Sequence, residues 1–216
     1  MIVGLCGAAG AGKDTVAQVL VEQYGFVKVA LADPLKRMVR QTWPFTCEQL
    51  WGASERRGET PAGLTRPTAR EALQLLGTEW GRRLDEDVWI NCALDIAGRL
   101  LEGGWWYQDT EGAVRVETGR FPVESVPPPF GVVISDVRFD NEAQRIGAEG
   151  GDVWRVGGRP TAPPVGGLPD HPTEAGVTPS YIDSEILNDG DLCQLEEVVW
   201  NVLVSRRENA PIPEAW

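Results

Sequence analysis

Short apolar runs alternate along the chain with stretches that are apolar on one side only. Residues 2–6 (IVGLC) form a continuous apolar run, as expected of a strand covered on both faces. A glycine-rich stretch follows, and DTVAQVLVEQY then places Val16, Val19, Leu20 and Tyr24 at helical spacing, with Gly25 as the stop. FVKVALA (26–32) predicts a second strand. DPLKRMVRQTW predicts a helix with Asp33 as its cap and Pro34 in its first turn. From about 43 to 66 the pattern weakens into a polar segment. Helical spacing returns in TAREALQLLGTEWGRRL and in DEDVWINCALDIAGRLL.

Residues 103–129 alternate like a hairpin and end in a proline run, which reads as a surface insertion. FGVVISDVRF (130–139) is the strongest strand of the second half. DNEAQRIGAEGG follows as a short helix, and DVWRVGG as another strand. Residues 159–176 have the proline and glycine content of a mobile loop, read here as a lid. SEILND (184–189) predicts a last strand before the helix DLCQLEEVVWNVLVSRR, and no internal repeat is visible. Strands alternating with helices predict one domain over 1–216, a three-layer α/β/α fold with a parallel sheet. Residues 43–101 form a helical region within it.

Composition narrows the partners. The chain has 216 residues, 20 basic against 32 acidic, for a net charge of −12. That argues against broad contact with a nucleic-acid backbone, which needs clustered cations, but not against small phosphorylated ligands. Cys6, Cys47, Cys92 and Cys193 are scattered and His171 is the single histidine, so a zinc site is not expected and free thiols are. There is no signal-peptide pattern and no apolar stretch of membrane-spanning length. A cytoplasmic protein without membrane partners is the expectation. Nine tryptophans are a high count for this length; most are read as core or subunit-contact residues, and some could stack on bases.

The candidate chemistry begins at GLCGAAGAGKDT (4–15). G-x-x-x-x-G-K matches at Gly7, Gly12 and Lys13, directly after a strand and at the start of a helix, the context that makes the motif specific. Gly7, Gly10, Ala11 and Gly12 would let backbone N–H groups curl around an oxyanion, with Lys13 reaching the outer phosphates. The next position holds Asp14 where Ser or Thr would give a hydroxyl to Mg²⁺. A carboxylate can serve the metal directly or through a water, or it can repel the nucleotide, and spacing leaves both readings open. Thr15 offers a hydroxyl one residue on.

Taken with GKDT, the segments LADPLK, REALQLLGTEWGR, VISDVRFDNEA and DHPTEAG carry a resemblance. In their order the chain resembles the deoxynucleoside monophosphate kinases of bacteriophages, P-loop enzymes of the nucleoside-monophosphate-kinase group. The likeness spans about 1–100 and 130–205, and GKDT itself belongs to that family's pattern. It implies ATP and Mg²⁺ as cofactors, a deoxynucleoside monophosphate as acceptor and, for a phage protein, the host cytoplasm as location. Phosphoryl transfer needs positioning and charge neutralisation from several segments. Lys36 is a candidate to hold the monophosphate, and Arg70 to grip it bidentately. The resemblance puts Gly77, Thr78 and Trp89 near the acceptor nucleoside. It assigns Asp136 and Arg138 to the acceptor nucleotide or to ordering metal and phosphate, and Glu142 can recognise sugar or base. Lys13, Arg70, Asp136 and Arg138 are the expected catalytic set. Arg159, His171 and Glu174 belong to the lid, Arg159 toward ATP and Glu174 toward the acceptor. Two rivals stay open: a P-loop kinase of another small acceptor, of the dephospho-coenzyme A or phosphomevalonate type, and a nucleotide-binding regulatory protein. A homodimer is also left open.

Overall fold

The computed structural model describes residues 1–103, 106–108, 114–116, 128–158 and 175–208. The apolar runs fall where the sequence places them. Strands β1 (Ile2–Cys6), β2 (Phe26–Val29), β5 (Gly131–Ile134), β6 (Asp152–Gly157) and β7 (Ser184–Leu187) form one parallel sheet in the order β2-β5-β1-β6-β7. The central strand β1 pairs with β5 through Val3↔Val133 and with β6 through Leu5↔Trp154. Two further short strands, β3 (Trp106–Gln108) and β4 (Val114–Val116), pair antiparallel in the 103–129 segment.

Period-two alternation of side chains divides the core into two layers. Val3, Leu5, Phe26, Val133, Trp154 and Val156 point to one face, where helices α1 (Lys13–Tyr24) and α7 (Leu192–Glu208) add Val16, Leu20, Leu195 and Val199. Ile2, Cys6, Val27, Val29, Val132 and Ile134 point to the other. There α5 (Val88–Leu101) and α6 (Asp140–Ala148) cover them with Ile90, Ala93, Ala97 and Ile146. Trp154 is fully buried, and truncating a side chain of that size costs about 3–5 kcal/mol. The result is the expected three-layer α/β/α arrangement.

A smaller cluster of Val39, Phe45, Leu50, Ala69 and Ala72 ties α2 (Asp33–Thr42) to α3 (Cys47–Trp51) and α4 (Ala69–Gln74). Here the structure corrects several expectations. The weak stretch 43–66 is not featureless: α3 is closed by a capping box between Thr46 and Gln49, and a 3₁₀ turn spans Ser54–Gly58. A second capping box, Thr68 with Glu71, starts α4, which runs into a π-helical stretch, Leu75–Arg82. Asp33 is the first helical residue of α2 and not its cap. The carboxylate of Asp136 instead accepts the Leu31 and Ala32 N–H groups at 2.8 and 3.1 Å. Strands β2 and β5 end at Val29 and Ile134, short of the predicted ends, because the chain turns there to reach the ligand edge of the sheet.

Candidate active site

The loop between β1 and α1 has left-handed or otherwise glycine-only backbone at Gly7 (φ 133°), Gly10 (φ 80°) and Gly12 (φ 95°). Close approach is as decisive as φ. A Cβ at Gly7 would overlap the Val156 carbonyl, and one at Gly12 would overlap the Asn188 side-chain amide. That amide is buried and donates to the Ala11 carbonyl at 2.9 Å, so the residue after β7 braces the loop from behind. No side chain among the described residues caps α1, whose first turn borders the cleft at Gly12, Lys13 and Asp14, the arrangement in which helix N–H groups can bind an anion. The Lys13 ammonium spans the loop, donating to the Gly7 and Ala8 carbonyls at 2.8 and 2.7 Å. Burial, and then the charge of Arg138, pull its pKa below the ordinary lysine value.

Asp14 and Thr15 are both exposed in the first turn of α1. Asp14 accepts from the Lys28 ammonium of β2 at 2.6 Å. Partial desolvation beside the loop works against its charge, yet Lys28, Arg57 and Lys36 outweigh that and hold the carboxyl below its ordinary range. A carboxylate and a hydroxyl at this position are hard oxygen donors that suit Mg²⁺. Among the described residues no three His, Cys, Asp or Glu side chains gather as a metal site, so such an ion would draw mainly on phosphate and water oxygens.

The loop opens onto a cleft of about 640 Å³. Lys13, Asp14, Lys36, Arg70, Gly77, Thr78, Trp89, Asp136, Arg138 and Glu142 all line it, with Gly10 and Gly12. Gly7, Ala11 and Thr15 do not, and the first two serve the loop's shape. Lys36 is held by Asp33 at 3.3 Å and lies over the Trp51 ring, 5.6 Å from its centroid, and burial lowers its pKa. Arg70 is buried and donates to the Ser54 carbonyl and hydroxyl at 3.1 and 3.0 Å, pinning the 3₁₀ turn. That turn carries Arg57, a half-buried cation on the cleft, whose pKa partial desolvation likewise lowers. Trp89 is 8% exposed and its indole N–H donates to the Gly77 carbonyl at 2.9 Å. It is a core residue that contributes a wall to the cleft, not an open platform for stacking.

The end of β5 supplies the remaining groups. Asp136 spends both oxygens on the Leu31 and Ala32 amides, which fixes the start of α2, and Lys36 with it. Glu142 is 3% exposed and caps its own helix by accepting the Arg138 and Phe139 N–H groups at 2.7 and 3.1 Å. Arg82 reaches it from the π-helical stretch at 3.4 Å, bonds Asn141 at 2.9 Å, and stacks on Phe139 with its guanidinium 3.8 Å from the ring centroid. Burial pushes the Glu142 carboxyl up to about 7 despite those donors and Arg82.

Lys28, Arg57, Arg82 and Asn188 were missed by sequence reasoning. For Arg82 the signal was its place at the end of LLGTEWGR; for Asn188 it was a polar residue closing a strand. Arg159, His171 and Glu174 lie outside the described residues. Cys6 is buried and the other three cysteines exposed, all four as free thiols. No helix among the described residues is long and apolar enough to cross a membrane.

No protein-family model matches the chain. The chain is similar to a protein of Acanthamoeba polyphaga mimivirus named "Putative deoxynucleotide monophosphate kinase". The two are 29% identical over 174 residues, which is 81% of this chain and 80% of that protein.

Proposed function

We propose that the chain is a deoxynucleoside monophosphate kinase, transferring the terminal phosphoryl group of ATP to a deoxynucleoside monophosphate. The observation that carries this reading is the meeting, in one cleft, of a phosphate loop with cations from separate segments: Lys36, Arg57, Arg70, Arg82 and Arg138. A hydrolase needs one phosphate site; transfer between two phosphorylated ligands needs two anion sites facing each other. The similarity to the mimivirus protein that carries this name supports it.

In this reading Lys13 and the loop amides hold the ATP phosphates, while Lys36, Arg57 and Arg138 orient the acceptor phosphate. Arg70 acts through the turn it pins, and Asp136 through the start of α2. Trp89 and Gly77 wall the nucleoside end, with Thr78, Glu142 and Arg82 reading sugar or base. Mg²⁺, held by Asp14 and nearby oxygens, would supply charge neutralisation on the transferring phosphate. No general base is required, since the acceptor phosphate is already an anion at neutral pH. A soluble location in the cytoplasm, the host's for a phage protein, suits such an enzyme.

The test is ADP release across the four deoxynucleoside monophosphates, their ribose counterparts, dephospho-coenzyme A and phosphomevalonate. Turnover with at least one deoxynucleoside monophosphate is expected. Turnover with either of the last two acceptors and none with any deoxynucleotide would overturn the reading.

A further inference from the structure

Asp14 stands where the common phosphate loop carries a hydroxyl, so its charge lines the cleft beside the loop read above as the phosphate site. Like charges at such range repel, and more strongly as water is excluded. The fold supplies a counter-charge. Alternation along β2 sends Val27 and Val29 into the layer under α5 and α6, and turns Phe26 toward the α1 layer. Lys28 shares the parity of Phe26, and its ammonium meets Asp14 Oδ1 at 2.6 Å. The Lys28 side chain is 36% exposed and that of Asp14 81%, and both line the cleft. The pair therefore sits at the open mouth of the loop.

We propose that Lys28 is a positioning residue that neutralises Asp14, so that a nucleoside polyphosphate can settle on the loop before any divalent cation is present. This rests on the reading above for the loop's ligand class. The consequence is specific. Metal-free nucleotide binding depends on Lys28, and metal-loaded binding depends on it much less, because a divalent cation on the phosphates screens the same carboxylate. Replacing Asp14 removes the need for Lys28 altogether.

The experiment is calorimetric titration of the full chain with ADP, in EDTA and in Mg²⁺. The proteins are wild type, Lys28→Met, Lys28→Gln, Asp14→Asn and the Lys28→Met/Asp14→Asn double variant. Both Lys28 variants should bind ADP about three- to fivefold more weakly than wild type in EDTA and within about twofold of it in Mg²⁺. The double variant should recover the metal-free affinity, which a merely structural lysine would not produce. Wild-type affinity of both Lys28 variants in EDTA, or a double variant no better than Lys28→Met, would overturn the proposal. A wild-type chain that binds no ADP in either buffer would sink the nucleotide-site reading itself, and this proposal with it.

Discussion

The two ends of the cleft are built on different principles. At the loop end, the anion recognition proposed above rests on the main chain: consecutive residues from Gly7 to Lys13, shaped by three positive-φ glycines and held from behind by Asn188. At the opposite end it belongs to side chains drawn from far apart. Arg70 grips Ser54 across 16 residues, and Arg82 meets Asn141 and Glu142 across 59 and 60. A backbone site tolerates little change in conformation but is indifferent to much of its surroundings. A side-chain site depends on every element that carries one of its members. Damage at the loop should therefore be local and severe, and damage at the far end should spread into stability and selectivity.

The largest effect sharpens that contrast. Lys13→Ala should lower kcat/KM for ATP by about 10²- to 10³-fold with a small change in thermal stability, because its loss removes a proposed phosphate donor and two bonds to loop carbonyls but no packing. Steady-state kinetics beside a melting curve check this. Arg70→Ala should differ in kind. Its buried guanidinium holds the turn that carries Arg57, so the variant should lose about 2–3 kcal/mol of folding stability as well as acceptor affinity. Arg70→Lys should not restore either in urea titration and kinetics, for lack of the planar fork.

Smaller effects separate the two ends further. Arg82→Met should raise KM for the acceptor roughly tenfold and leave KM for ATP unchanged, since among the described residues the guanidinium bonds Glu86, Asn141 and Glu142, at the end of the cleft proposed above for the acceptor. Equal rises in both constants would break the division. The smallest effect is a pH dependence. Burial raises Glu142 from an ordinary 4.5 to about 7, so the folded chain binds its proton more tightly than the unfolded one. The stability this contributes is present below the ordinary value and is lost as pH rises through about 7. Glu142→Gln should flatten that fall, worth about 1–2 kcal/mol between pH 5 and 8 in urea midpoints.

The same contrast explains what could be read from the sequence. The sheet was legible because IVGLC and GVVI are buried on both faces and need no context to say so. The loop was legible because its chemistry is contiguous and its glycines mark the turns. The segment around α3 was not, since five residues carry too little periodicity to stand out. Its capping signature TCEQ, and TARE before α4, were nevertheless present. Lys28 and Arg57 look like ordinary surface cations until β2 register and the Arg70 contact place them on the cleft. Trp89 and Asp136 read as ligand groups, whereas packing and backbone bonds account for much of what they do.

The central claim is that two phosphorylated ligands meet in this cleft and a phosphoryl group passes between them. Incubation with γ-³²P-labelled ATP and each deoxynucleoside monophosphate, resolved by chromatography, tests it most directly. The account predicts label in a deoxynucleoside diphosphate, formed in step with ADP. Label found in inorganic phosphate alone, at a rate no deoxynucleotide changes, would contradict it.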